Sequence, residues 1–326
     1  MDEEATPRRI NYLRMSITDR CQLRCFYCTY WQDWEKLPSG EILSYEELLR
    51  VAGIAANLGI HKVRVTGGEP LVRRGVVGFL HRLHRVPGIA EVCLTTNGVL
   101  LADLAPALYD TGLRHLNLSL DTRRRERYRE ITGKDNLKEV LNGLERASAL
   151  GFRPLKINCV VMAGINDDEL VEIALLARDH PYQVRFIELM PTVSPRRWSR
   201  HFLPMAEVRR RLAILGPMDA VPRQATAGPA RIFRLPGFQG ELGFITPMSA
   251  HHCGTCNRLR LTATGALRPC LLGETEIDVK APLRQGASEA VLASVLTEAI
   301  SRKFGRLACP PGNFPLQGAS MVSIGG

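Results

Sequence analysis

No apolar run in this 326-residue sequence approaches the ~18 residues needed to cross a bilayer as a helix. The opening residues, Met1-Asp-Glu-Glu-Ala5, lack the charged-then-apolar order of a secretory leader. The expectation is a cytoplasmic protein with no membrane partner. Aromatic residues are few, 6% of the chain, and they are not interleaved with the basic runs as a base-stacking platform requires. This argues against a nucleic-acid partner. Acidic residues are also short: 43 Lys and Arg against 33 Asp and Glu leave a net charge of +10, which suits a small polyanion. The runs Arg123–Arg125 and Arg209–Arg211 have acidic neighbours (Glu126, Glu130, Glu207) on helical stretches and read as solvated surface. There is no low-complexity segment, and no internal repeat beyond an alternation of strand and helix.

Cysteine is scarce, nine residues in all, yet six of them fall in two groups that each lack a fourth member. The first is Cys21-x3-Cys25-x2-Cys28. In a reducing compartment, thiols so closely spaced point to a soft metal rather than to disulfides. Three thiolates suit a [4Fe–4S] cluster whose fourth iron is open to a small molecule. The other reading is a zinc knuckle completed by a histidine, but no histidine lies within thirty residues on either side. The second group is Cys253-x2-Cys256-x13-Cys270, where His251 or His252 would complete a Cys3His zinc site as the alternative to a cluster. Cys93 and Cys159 sit inside apolar strands and read as core. Cys309, before Pro310-Pro311, is a further candidate ligand.

Strand patterns fall at 10–17, 62–66, 91–95, 115–120, 154–161 and 183–189. Between them lie helical stretches at about 45–58 (opened by the capping box Ser44-Tyr-Glu-Glu47), 74–85, 101–111, 136–149 and, after Gly164-Ile-Asn-Asp-Asp168, to about 179. Six βα units predict an α/β fold, an incomplete (β/α)6 barrel related to the eight-stranded form, with its chemistry at the C-terminal ends of the strands. The cysteine loop, Gly67-Gly68, Thr95 and Ser119 all fall at such ends. Pro191–Pro204 reads as a linker, 205–215 as a helix, and 220–250 as hairpins. The expected division is a barrel core over 5–220 and a smaller α+β region over 221–326 that carries the second cysteine group.

Arg14, Lys62, Arg64, Lys156 and Arg185 interrupt otherwise apolar strands, and Arg258 and Arg260 alternate in a run that puts both on one face. A buried unpaired cation is costly, so these groups require anions. A polyphosphate in the lumen would satisfy them together. Salt bridges to Glu69 and Glu188 would satisfy one or two. Gly67-Gly68 reads as a tight turn or as backbone kept bare for a ligand, and Asp121 as an ordinary helix cap.

With these residues in view, the chain resembles the radical S-adenosylmethionine (SAM) superfamily through C-x3-C-x2-C and Gly67-Gly-Glu-Pro70. Within it the chain resembles the GTP 3′,8-cyclase (MoaA) family of molybdenum cofactor biosynthesis. The narrower likeness rests on Thr18-Asp-Arg-Cys21, Val65-Thr-Gly-Gly-Glu-Pro-Leu71, Leu94-Thr-Thr-Asn-Gly98, Leu118-Ser-Leu-Asp121, Gly164-Ile-Asn-Asp-Asp168, Arg185-Phe-Ile-Glu188, Cys253-x2-Cys256-x13-Cys270 with Arg258-Leu-Arg260, and the terminal Gly325-Gly326. One departure is Thr29-Tyr30-Trp31 after Cys28, where the family has Met-Pro.

The resemblance implies two [4Fe–4S] clusters, on Cys21, Cys25 and Cys28 and on Cys253, Cys256 and Cys270. It implies SAM beside Tyr27, Gly68, Thr95, Ser119 and Met190. GTP would be held by Arg14, Lys62, Arg64, Lys156, Arg185, Arg258, Leu259 and Arg260, with Arg258, Arg260 and the Gly325-Gly326 tail serving catalysis. The implied reaction cleaves SAM to a 5′-deoxyadenosyl radical, abstracts the 3′ hydrogen of GTP and joins C3′ to C8, giving 3′,8-cyclo-7,8-dihydro-GTP. It further implies a flavodoxin- or ferredoxin-type electron donor and a downstream cyclic pyranopterin monophosphate synthase, and it allows a homodimer. The competing readings are a radical SAM paralogue such as a peptide-modifying maturase, and a zinc-dependent nucleic-acid-binding protein.

Overall fold

The computed structural model describes residues 9–28, 35–192, 195–222, 228–250, 253–304 and 321. Its strands are β1 (Tyr12–Ser16), β2 (Lys62–Thr66), β3 (Glu91–Thr96), β4 (His115–Ser119), β5 (Leu155–Val161), β6 (Gln183–Glu188), β7 (Asp219–Ala220), β8 (Arg231–Arg234), β9 (Glu241–Ile245), β10 (Arg258–Leu261), β11 (Ala266–Arg268) and β12 (Ile277–Asp278). The helices are α1 (Tyr45–Asn57), α2 (Val76–Leu83), α3 (Leu101–Asp110), α4 (Arg125–Thr132), α5 (Leu137–Leu150), α6 (Leu170–Ala174), α7 (Leu176–Asp179), α8 (Pro195–His201), α9 (Met205–Leu212), α10 (Lys280–Arg284) and α11 (Glu289–Phe304). The capping box of α1 forms as the sequence predicts: Ser44 Oγ accepts from the Glu47 amide at 3.1 Å, and the Ser44 amide donates to Glu47 Oε2 at 2.6 Å.

All twelve strands join one open sheet in the order β12-β11-β10-β1-β2-β3-β4-β5-β6-β9-β8-β7. The βα strands β1 to β6 run parallel in chain order, as expected of the partial barrel. Two strands of the C-terminal half then extend it: β10 lies parallel to β1, and β9 parallel to β6. The expectation of hairpins over 220–250 therefore holds for β7–β8–β9 but misses the long-range pairing of β9. Nor is Pro191–Pro204 only a linker. It contains α8, whose Trp198 indole donates to the Leu189 carbonyl at 2.9 Å. The helix expected up to residue 179 is broken at Leu175 into α6 and α7.

Period-two alternation decides what faces where. Leu13 and Met15 on β1, Val63 and Val65 on β2, Val184 and Phe186 on β6, and Leu259 and Leu261 on β10 pack outward into one core with Leu48, Val51 and Ala55 of α1. A parallel sheet is covered on both faces in this way only if something also fills its inner side. Here the inner side is polar. Leu259, expected among the GTP-binding residues, is 0% exposed and belongs to the outer core, so its side chain points away from the lumen that Arg258 and Arg260 line.

Candidate active site

Lumen and rim enclose a cavity of about 400 Å³, within the size range of small-molecule sites. Arg14, Lys62, Arg64, Lys156, Arg185, Arg258 and Arg260, drawn from five strands, all line it. The register explains their convergence: Arg260 pairs with Arg14 and Arg14 with Arg64, while Arg258 pairs with Tyr12 and Tyr12 with Lys62. Their partners differ from those expected. Glu69 accepts from the Leu71 amide (3.0 Å), Thr96 Oγ1 (2.7 Å) and the Asn97 amide (2.6 Å). Glu188 accepts from the amides of Met205 (2.9 Å), Met248 (3.0 Å) and Ser249 (2.9 Å), and from the Ser249 hydroxyl. Both carboxylates organise loops at the barrel rim rather than neutralising the lumen.

Repulsion among the cations shows in their acidities. Burial, then the nearby Arg185, Arg64 and Lys62 charges, push the Lys156 ammonium down to about 7. Burial and Arg64 bring Arg185 to about 9, although its Nε donates to Asn158 Oδ1 at 2.9 Å. Burial followed by Arg14 and Arg258 lowers Arg260 well below the usual guanidinium range. Arg260 Nη1 is also a buried donor with no hydrogen-bond partner among the described residues. Such crowding is what a bound polyanion relieves.

A residue that sequence reasoning missed sits at the centre of this group. Tyr12, fully buried on β1, accepts a hydrogen bond from Arg64 Nε, and the Lys62 ammonium lies 5.3 Å from its ring centroid. Burial alone would raise its phenol pKa, but the Arg64 and Arg14 charges override that and hold it below the ordinary value. Its only sequence signal was period: Tyr12 is two residues before Arg14 and so shares its face. Lys303 of α11 is a second such residue; it lines the cavity beside the second cysteine triplet and donates to the Pro269 carbonyl at 2.6 Å.

Cys21, Cys25 and Cys28 sit on the loop after β1, and all three line the cavity. Gly67 and Gly68 seat that loop. A Cβ on Gly67 would come within 2.8 Å of the Thr18 carbonyl oxygen, and one on Gly68 within 2.4 Å of the Arg20 carbonyl oxygen. Bare backbone there lets the Gly68 amide reach Thr18 O (2.7 Å) and the Glu69 amide reach Arg20 O (2.8 Å). Asn97 Nδ2 lies 3.6 Å from the Cys21 sulfur. Burial, followed by the Glu69 charge, pushes the Cys21 thiol up to about 12, and burial raises Cys25 as well. Without a cation, such desolvated thiols stay protonated. With one they are ligands, and this donor set fits an iron–sulfur cluster.

Cys253, Cys256 and Cys270, which flank β10 in the chain, line the same cavity. Burial raises the Cys256 pKa, but Arg258 and Lys303 outweigh it and bring the thiol to about 6, so it is ready to ligate a metal as thiolate. His251, His252 and Cys309, the alternative fourth ligands, lie outside the described residues, as do Thr29-Tyr30-Trp31 and Gly325-Gly326.

Tyr27, Gly68, Thr95, Ser119 and Met190 line the cavity on the side of the first triplet. Tyr27 donates to Asp121 Oδ2 at 2.6 Å and its carbonyl accepts from Thr192 Oγ1 at 2.6 Å. Asp121 is thus more than a helix cap. It also accepts from the Val160 amide at 2.8 Å, and burial lifts its carboxyl to about 6. The Met321 amide donates to the Cys28 carbonyl at 2.9 Å, which places Met321 at the first triplet. Cys93 and Cys159 are both fully buried, as expected; the Cys93 sulfur also lies 3.1 Å from Glu91 Oε1 and 3.8 Å from His115 Nδ1.

An open parallel barrel with a cysteine triplet after its first strand defines the radical SAM class. The Radical SAM superfamily model matches residues 15–177, and the Molybdenum Cofactor Synthesis C model matches 182–308. The GTP 3′,8-cyclase of Moorella thermoacetica is 47% identical over 92% of this chain and 93% of its own length. That of Pelotomaculum thermopropionicum is 48% identical over 92% and 93%. The chain belongs to the GTP 3′,8-cyclase family. Among solved structures, Streptococcus suis SuiB bound to S-adenosylmethionine superposes with a TM-score of 0.59 at 14% identity, covering 88% of this chain and 68% of that one; this likeness is one of fold alone.

Proposed function

We propose that the chain is a radical SAM GTP 3′,8-cyclase, a lyase that converts GTP to 3′,8-cyclo-7,8-dihydro-GTP at the start of molybdenum cofactor biosynthesis. The observation that carries this reading is the single cavity wall shared by two three-cysteine groups and eight basic side chains. When bound, the two [4Fe–4S] clusters supply the electron that initiates SAM cleavage and an open iron for the guanine base. Cys21, Cys25 and Cys28 hold the first cluster and Cys253, Cys256 and Cys270 the second. Tyr27, Gly68, Thr95, Ser119 and Met190 form the SAM side.

Arg14, Lys62, Arg64, Lys156, Arg185, Arg258 and Arg260 bind and orient the triphosphate end of GTP. Leu259 serves through its backbone, because its side chain is in the outer core. Charge-assisted contacts of this number fix the ribose relative to the radical source, and positioning is the protein's main contribution to such chemistry. The barrel wall excludes water and stray hydrogen donors while a carbon radical exists. Gly325 and Gly326 take part in catalysis. The division at 220/221 separates the SAM-cleaving part from the part that holds the second cluster. A flavodoxin- or ferredoxin-type reductant supplies electrons, a cyclic pyranopterin monophosphate synthase takes the product, and the family resemblance allows a homodimer. The enzyme works in the cytoplasm; no helix among the described residues is long and apolar enough to cross a membrane.

The test is anaerobic incubation of cluster-loaded protein with reductant, SAM and GTP, scoring 5′-deoxyadenosine and cyclised nucleotide together. Equal formation of both is expected. 5′-Deoxyadenosine without cyclised nucleotide would overturn the assignment of GTP as substrate.

A further inference from the structure

We propose that Glu91, Cys93 and His115 form a binding site for one borderline-soft divalent cation of the Zn2+ type, on the underside of the barrel. Glu91 and Cys93 are two residues apart on β3 and so share a face. His115 is the register partner of Cys93 on β4. One ligand atom from each residue lies within 4.8 Å of the other two. Cys93 Sγ is 3.1 Å from Glu91 Oε1 and 3.8 Å from His115 Nδ1, and Glu91 Oε1 and His115 Nδ1 are in direct contact. Donors around a tetrahedral zinc with ordinary bond lengths stand about 3.4–3.6 Å apart, so small shifts suffice to seat the ion.

The donor set selects the class of ion. Thiolate and imidazole beside a single carboxylate disfavour Mg2+ and Ca2+, which take oxygen, and favour zinc-like cations. Cys93 is fully buried, whereas the Glu91 and His115 side chains are 22% and 34% exposed, so an ion enters from solvent and a water completes the coordination. None of the three lines the cavity of the proposed active site, although Lys62 and Arg64, the register partners of Glu91 and Cys93 on β2, do.

Lys62 Nζ is 2.8 Å from Glu91 Oε1, so the Glu91 carboxylate would be shared between this ammonium and the metal ion.

The experiment uses the full chain with both cysteine triplets anaerobically loaded with iron and sulfide, so that those six thiols are occupied. It is equilibrated with buffered Zn2+ and desalted, and zinc and iron per chain are measured together with zinc K-edge absorption. The expected result is about one zinc per chain bound through one sulfur and nitrogen or oxygen donors. Retention should fall about tenfold or more in Cys93→Ala and in His115→Gln, with iron content unchanged as the sign of an intact fold. His115→Gln, at the more exposed position, keeps the test open should Cys93→Ala misfold. Zinc that is not retained, is retained equally by the variants, or is bound through two or more sulfurs would overturn the proposal.

Discussion

Arg64 donates through Nε to the hydroxyl of Tyr12, and this hydrogen bond is the hub of the cation cluster. Arg64 and Arg14 act on the same phenol, and Lys62 lies over its ring. In the nucleotide-free protein Tyr12 is therefore their shared acceptor. Tyr12→Phe leaves a buried charged donor unsatisfied, at a cost of about 1–3 kcal/mol. The melting temperature of nucleotide-free protein should fall, and saturating GTP should restore most of the difference, because triphosphate oxygens replace the lost acceptor. A variant that melts with wild type in the absence of nucleotide would refute this role.

Gly243 on β9 is in register with Arg185 on β6, and a Cβ there would come within 2.8 Å of Arg185 Cγ and 3.0 Å of Ile232 Cδ1. The missing side chain gives Arg185 its place in the lumen. Gly243→Ala is expected to displace the arginine and overpack the β8–β9 edge, destabilising by about 1–3 kcal/mol. GTP affinity, read by equilibrium dialysis, should weaken several-fold while binding of SAM is unchanged. Unaltered GTP affinity would show that Arg185 finds another route to the ligand.

The cysteine triplets, the six βα strands and the cations on them were legible because each is a local pattern: a spacing, a period or a charge in an apolar run. Gly243, Tyr12 and the true roles of Glu69 and Glu188 were not. Gly243 matters only because β9 pairs with β6, across a chain separation that no local pattern records. Glu69 and Glu188 looked like counter-ions, but loop amides compete for them successfully, since a carboxylate at the rim can accept several backbone N–H groups that would otherwise be buried unpaired. The outward face of the Leu259 side chain was not legible either, because a match by motif carries no information on which face a strand residue takes.

Lys156 titrates near pH 7 in the nucleotide-free fold, far below its ordinary 10.5, through burial and the neighbouring cations. Between those two values the unfolded chain binds the proton and the folded chain does not, so this residue makes stability rise with pH across that window. Ligand binding has the opposite sign. The triphosphate prefers the ammonium, so GTP affinity should be greatest below about pH 7 and decline above it until the pKa of the bound form is reached. Lys156→Met should flatten that dependence when affinity is measured from pH 6 to 9. A profile identical to wild type would assign the titration to another group.

The Met321 amide donates to the Cys28 carbonyl at 2.9 Å, which holds Met321 at the first triplet, five residues before Gly326. Five residues span at most roughly 17 Å when extended, so the role proposed for Gly325 and Gly326 is within reach of that anchor. Deleting Gly325 and Gly326 leaves the anchor in place. Iron content should therefore stay at about eight per chain, the amount two four-iron clusters require, and 5′-deoxyadenosine should still form with reductant and SAM. Cyclised nucleotide should vanish. Met321→Pro removes the anchoring N–H and keeps both glycines, so it should lower cyclisation by making the tail's position less defined, without abolishing it. If the deletion cyclises GTP at the wild-type rate, the tail has no part in the reaction, and substrate positioning falls to the lumen arginines alone.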